Sequence, residues 1–133
     1  NMQNDILKAR LKKQRSILLE LELDLFYIRG GVTSEGYKRP IVPKLLILMN
    51  HTNGLVISQQ IVSPNQDETQ LILDFLVEFI LKYGKPSKIN IRLPHIQRTI
   101  MELCRVCRIK VFRQNDLRAI DEFKKEFMLR LGF

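Results

Sequence analysis

Between Leu19 and Tyr27 apolar and acidic side chains alternate, with Leu19, Leu21, Leu23, Leu25 and Tyr27 on one side and Glu20, Glu22, Asp24 and Phe26 on the other. A period of two marks a strand, because a helix would spread those leucines around its circumference. The pattern predicts a half-buried strand whose carboxylates sit on an exposed edge, where charge resists strand-to-strand aggregation. Val42 to Met49 reads as a second strand, and Leu45, Leu46, Ile47 and Leu48 make it apolar on both faces and therefore central. Leu55 to Val62 gives a third, joined to the second through Asn53-Gly54, the local signature of a type I′ hairpin turn. Gly30, Gly31 and Gly36 bracket a loop up to Pro40, expected to be mobile or to form a long hairpin connection.

A helical period takes over afterwards. Leu71, Ile72, Phe75, Leu76, Phe79 and Ile80 recur at three and four residues. Ser63 or Asn65 could start this helix, Asp67 and Glu68 suit its first turn, and it ends near Tyr83 at Gly84 with Pro86 beyond. A short strand, Lys88 to Ile91, precedes a second helix from about His95 to Arg108 that buries Ile96, Ile100, Met101, Leu103, Cys104 and Cys107. Ile109 to Phe112 makes a fifth strand with Phe112 in the core, and Asp116 to Leu131 a last helix with Leu117, Ile120, Phe123, Phe127 and Leu131 inward. At the other end, residues 5–15 combine Ile6, Leu7 and Leu11 with five basic side chains, a short amphipathic helix or arm.

Three antiparallel strands followed by two right-handed crossovers give an α/β fold: a mixed five-stranded sheet with helices packed on it. A chain of 133 residues has room for one such core. We divide it into a basic helical arm, residues 1–15, and a single α/β domain, residues 16–133. Asn1 before Met2 suggests that native numbering begins at Met2. No apolar segment is long enough for a transmembrane span, since Asp74 and Glu78 interrupt the best stretch, Leu71 to Leu81. No secretory h-region follows the first basic residues, so a cytoplasmic location is expected.

Charge changes this picture. Residues 82–113 hold nine Lys and Arg against one acid, Glu102, a net +8 that equals the net charge of the whole chain. Local positive charge of this kind focuses an anionic partner. The candidates for anion or nucleic-acid binding are Lys85, Lys88, Arg92, Arg98, Arg105, Arg108, Lys110 and Arg113, to which Lys82 adds charge. Arg98 and Arg105 are seven apart on one helix and so share a face, while Arg92 and Arg113 fall near the carboxyl ends of two parallel strands, where open α/β sheets place their ligand crevice. The plain alternative is a solvated face that keeps the domain soluble. With Phe112 assigned to the core and Tyr37 and Tyr83 isolated, no stacking platform for single-stranded bases is evident.

No motif supplies chemistry to go with the charge. Cys104 and Cys107 have the C-x-x-C spacing, but both fall late in a helix and no second cysteine pair completes a zinc site, so they read as buried structural thiols of a reducing interior. His51 and Thr52 sit in a turn beside Asn50 and Asn53 with no carboxylate near in sequence, an incomplete base and nucleophile. His95, after Pro94, is a helix-cap or surface group. Glu20, Glu22 and Asp24 have the residue types of a metal site, but the edge-guarding role accounts for them, with a dimer partner using that edge or the basic patch as its rival.

The strand and helix order resembles the ribonuclease H-like fold, and Leu45 to Phe112 is similar in outline to the core of transposases and retroviral-type integrases. The matching pieces are the Leu48-Met49-Asn50-His51-Thr52-Asn53-Gly54-Leu55-Val56 hairpin, the helix ending in Tyr83-Gly84-Lys85-Pro86, and the strand reached through Ile89-Asn90-Ile91-Arg92. Residues 38–131 also look similar to a bacterial family of uncharacterised domains, whose terminal helix has an acidic start like Asp121-Glu122. The resembling nucleases hold two divalent ions with carboxylates on the first strand of the hairpin and at the end of the following parallel strand, which stabilise the entering and leaving oxygens. The resemblance sets Asn50 and Arg92 at those positions. Asp116, Asp121 or Glu122 would supply at most a third carboxylate, so the resemblance implies a version without catalysis.

The expectation is therefore a non-enzymatic interaction module with a basic face, without catalytic residues, metal or cofactor. Its alternative is a nucleic-acid-binding or degenerate nuclease-like protein contacting phosphates. A homodimer, a nucleic acid and an acidic protein are the partners considered, and a membrane is not.

Overall fold

In the computed structural model, residues 2–28 and 42–132 are described. The glycine-bracketed connection up to Pro40 lies outside the described residues. The chain runs α1 (Met2–Lys12), β1 (Ser16–Tyr27), β2 (Lys44–Asn50), β3 (Val56–Val62), α2 (Glu68–Tyr83), β4 (Lys85–Ile91), α3 (Pro94–Cys107), β5 (Lys110–Arg113) and α4 (Arg118–Arg130). Five strands form one sheet in the order β3-β2-β1-β4-β5. β1 is antiparallel to β2 and parallel to β4, so the two halves of the expected mixed sheet join along it.

That position overturns the reading of β1 as a charged edge. Its odd-numbered leucines, Leu21, Leu23 and Leu25, enter a core with Leu11 of α1 and the inner residues of α2 and α3. Its other face is covered too: Phe26 packs with Leu45, Ile47 and Met49 of β2 and with Leu117, Ala119 and Ile120 at the start of α4. Glu22 is 0% exposed and Asp24 3%. Alternation of apolar and acidic residues normally means one wet face. Here α4 closes that face, so the acids are interior groups that need partners.

Local chemistry sets several boundaries differently from expectation. Asp67, with Oδ1 accepting the Gln70 amide at 3.2 Å, caps α2, whereas Ser63 and Gln66 bond to each other in the preceding turn. The β2–β3 loop spans five residues, closed by Asn50 N–H to the Leu55 carbonyl, with Asn50 Oδ1 accepting the Thr52 and Asn53 amides. Gly54 has φ +73 but Asn53 is not left-handed, so the turn is not type I′. Gly84 ends α2 with φ +116, where a Cβ would come within 2.8 Å of the Arg15 carbonyl oxygen. Only glycine allows α2 to finish that close to the entry of β1.

Candidate functional site

On the α4 side of the sheet, β1 and β4 carry two facing rows. Glu20 lies beside Lys88 and Glu22 beside Asn90 in the parallel ladder, and Asp24 and Arg92 meet just past its last pair. Parallel pairing in register puts these side chains on one face, because both strands alternate with the same period. Lys88 Nζ is 2.9 Å from Glu20 Oε1, and Asn90 Nδ2 donates to the same oxygen at 2.9 Å. Those two bonds, Asn90 first, hold the Glu20 carboxyl below the usual carboxylate range. Gln114, just past β5, extends the row by donating to Asn90 Oδ1.

Glu22 has no side-chain cation on β4. Its Oε2 is 2.6 Å from Nδ1 of His51, and its two oxygens accept the N–H groups of Ala119 at 3.2 Å and Ile120 at 2.9 Å. Leu117, at the cap position of α4, has no side chain able to accept those bonds, so a β1 carboxylate 97 residues away does the capping. The carboxylate that His51 lacks in sequence is thus supplied by the fold. Thr52 is held by its amide to Asn50.

Arg92 closes the arrangement. Its Nη2 is 2.8 Å from Asp24 Oδ2 and 2.8 Å from Asp121 Oδ1, while Nη1 bonds Asp121 Oδ2 at 3.1 Å. The bonds to Asp121 first, opposed by burial and helped by Asp24, raise the guanidinium further above its already high value. Burial raises the carboxyl of Asp24 in spite of Arg92, and the buried Asp24 Oδ1 has no hydrogen-bond partner among the described residues. Asp121 goes the other way: burial pulls upward, but Arg92 and the Leu117 amide hold its carboxyl below the ordinary range.

At the positions the resemblance singles out, Asn50 and Arg92, the side chains have structural partners. Asn50 ends β2 and serves as a turn cap, whereas the strand lying parallel to β4 is β1, and the acid beside Arg92 is Asp24. The residues do not fit a divalent ion, which requires several converging oxygens. Asp24 and Asp121 are bridged by a guanidinium, Glu20 is engaged by Lys88 and Asn90, and the partnerless Asp24 Oδ1 is one oxygen. Among the described residues no group of three or more His, Cys, Asp or Glu could hold a metal.

The eight basic candidates separate into two sets. Arg92, Lys88 and Arg105 are neutralised, the last by Glu102 at 2.7 Å, and Lys85 Nζ donates to the Lys12 carbonyl at the end of α1. Arg98, Arg108, Lys110 and Arg113 are exposed, and no carboxylate pairs with any of them among the described residues. Lys110 stands beside Lys88 and Arg113 beside Ile91 in the β4–β5 ladder. Phe112 is not core: it is 43% exposed, and Lys88 Nζ lies 4.5 Å from its ring centroid. β5 is the margin of the sheet, so a residue alternating like a core residue there has no helix over it. Cys104 and Cys107 are free and buried, and burial pushes the Cys104 thiol up to about 12. His95 Nε2 is 3.8 Å from Glu68.

The family pattern for a domain of unknown function, DUF6930, matches residues 7–128. The chain belongs to the DUF6930 family. A search of curated proteins finds no match. Among solved structures, the DUF6930 domain is similar to the catalytic core domain of HTLV-2 integrase in complex with magnesium, dimeric form, with TM-score 0.57 and 16% identity over 84% of this chain and 69% of that one. It is also similar to the simian T-cell lymphotropic virus intasome in complex with PP2A regulatory subunit B56 gamma, with TM-score 0.55, 14% identity, and 86% and 41% coverage. The Mos1 strand transfer complex matches at TM-score 0.48 and 11% identity over 94% of this chain and 51% of that one. At such identities the likeness to the integrase cores establishes the ribonuclease H-like fold of the DUF6930 domain and nothing about its activity. No helix among its described residues is long and apolar enough to cross a membrane.

Proposed function

We propose that this domain is a non-enzymatic interaction module that meets an acidic macromolecule along the margin made by α3 and β5. The observation that carries the first half is Arg92 between Asp24 and Asp121. A protein cation fills the position between the carboxylates and ties α4 to the sheet, which leaves no place between them for a metal ion. The second half is supported by the four exposed cations Arg98, Arg108, Lys110 and Arg113, which lack acidic partners among the described residues. Strand β5 is too short and too charged to invite another strand, so contact there is through side chains.

A nucleic-acid partner is the second reading, and exposed Phe112 favours it. An aromatic ring with Lys88 over it and Lys110 on the same strand face combines a stacking face with charges for phosphates.

The test is a fluorescence-anisotropy titration with duplex DNA, single-stranded DNA, RNA and polyglutamate between about 50 and 200 mM salt. Binding to at least one of them that weakens steeply with salt, and is lost in the Lys110→Glu/Arg113→Glu double variant, is expected. Selective loss of single-stranded binding in Phe112→Ala favours the nucleic-acid reading. Absence of binding to all four at low salt overturns the basic margin. Mn²⁺-dependent cleavage of DNA that Asp24→Asn abolishes overturns the non-enzymatic role.

A further inference from the structure

The two margins of the sheet differ in kind. β5 has four residues, two of them Lys110 and Arg113, and such charges keep an edge from pairing with another chain. β3 has seven, Val56–Val62, with neither a charged side chain nor a proline. The neutrality extends well beyond the strand: residues 45–66 contain no Asp, Glu, Lys or Arg in a chain that is 27% charged. β3 bonds only to β2, so its outer backbone groups face no strand of the described residues. Exposed apolar groups accompany it, Leu55 at 63%, Val56 at 38% and Ile61 at 59%.

We propose that β3 is the pairing edge for a second copy of this chain, joined antiparallel to its own copy about a two-fold axis at Gln60, so that two five-stranded sheets become one of ten strands. The register of β3 on β2 shifts where Val56 faces Met49 and Ser58 faces Leu48, which makes Ile57 an extra residue. The regular part of the ladder is therefore Ser58 to Val62, and Gln60 is its midpoint. An isologous pair about that point sets Gln60 against its own copy, Gln59 against Ile61, and Ser58 against Val62. Each pair lies on one face, as a continuous sheet demands. An amide carries both donors and an acceptor, so two Gln60 side chains satisfy each other without charge.

Electrostatics selects a second copy over an acidic partner for this edge. Two chains of net charge +8 repel, and the repulsion is strongest where residues 82–113 are exposed. β3 stands four strand spacings from β5, about 19 Å, which exceeds the ~8–10 Å over which charge acts at physiological salt. A neutral edge at that distance is where two such chains approach with least penalty. An acidic partner finds no countercharge on β3 and is drawn to β5. This inference is independent of the proposed function.

Sedimentation equilibrium with paired variants tests it. The wild-type chain is expected at twice its monomer mass, with the dimer persisting or tightening as salt rises, opposite to phosphate binding. Ile61→Lys, at an exposed position, yields monomer with an unchanged circular dichroism spectrum, and Gln59→Lys repeats the test on the same edge. Opposed residues in an antiparallel pair lie about 4.5–5.5 Å apart between Cα atoms, within the disulfide range of about 4.4–6.8 Å. Gln60→Cys therefore oxidises to an intermolecular dimer, and Lys110→Cys on the other margin does not. A wild-type chain monomeric at its highest soluble concentration overturns the proposal, as does a dimer that survives both lysine variants or leaves Gln60→Cys unlinked.

Discussion

Arg92 stands 2.8 Å from Asp24, a carboxylate only 3% exposed, and the same guanidinium reaches Asp121 on α4. Removing a single partner of such a buried pair costs about 3–5 kcal/mol, because the group left behind keeps its charge without compensation. We expect Arg92→Met to lose about that much in urea denaturation. Asp24→Asn in the same chain removes the orphaned charge, so the double variant should be more stable than Arg92→Met alone. Additive losses would show that the two groups do not act as a pair.

Glu22 is the second anchor of α4, accepting from Ala119 and Ile120 while holding His51. Glu22→Ala leaves those amides buried without an acceptor, at about 1–3 kcal/mol for each unsatisfied group. The loss should be local. Hydrogen exchange at Ala119 and Ile120 is expected to speed up relative to the Lys44–Leu45 end of the β2–β3 ladder, several pairs away from Met49, the residue Glu22 pairs with. Equal acceleration in both would mean that α4 and the sheet unfold as one unit.

These two anchors mark the limit of what the sequence discloses. The strands, their mixed order and three of the helices follow from periodicity, because Leu71, Phe75 and Phe79, or Ile96, Ile100 and Leu103, repeat at spacings only a helix brings to one side. The environment of Glu22 and Asp24 does not follow, since alternation shows that two faces differ and is silent on what covers the second. The cover, α4, carries no capping side chain at Leu117, so nothing near its start shows that a β1 carboxylate 97 residues before Ala119 completes it. The clue that was available is the matched order of the rows, Glu20-x-Glu22-x-Asp24 against Lys88-x-Asn90-x-Arg92. It becomes legible only once β1 and β4 are known to be parallel neighbours. The charge surplus in residues 82–113 suffered from the same gap, because Lys88 and Arg92 answer acids of β1 that composition counts elsewhere.

Cys104 and Cys107 should behave as core residues. Burial, with a smaller push from Cys107, raises the Cys104 thiol to about 12, and burial raises Cys107 as well. Since the thiolate is the reactive form, little of it exists at neutral pH. Iodoacetamide labelling of the folded domain is expected to be slow and to accelerate with urea in step with unfolding. Rapid labelling of Cys104 under native conditions would point to an opening of α3.

The acid groups predict a stability profile with a maximum on the acid side of neutrality. Asp121 and Glu20 have folded values below ordinary, so the stability they give is present above the unfolded value and is lost as pH falls through the folded one. Asp24 has the opposite sign: burial raises it above its ordinary 3.8, so the stability linked to its protonated form is lost as pH rises through the folded value. From neutral pH downward the urea midpoint should first rise as Asp24 takes up its proton. It should then fall below 3.8 as Asp121 follows. Asp24→Asn is expected to remove the rise and keep the fall, and Asp121→Asn to weaken the fall. A midpoint that increases without interruption from acid to neutral pH would mean that Asp24 stays ionised beside Arg92 throughout, and that the ion pair outweighs burial.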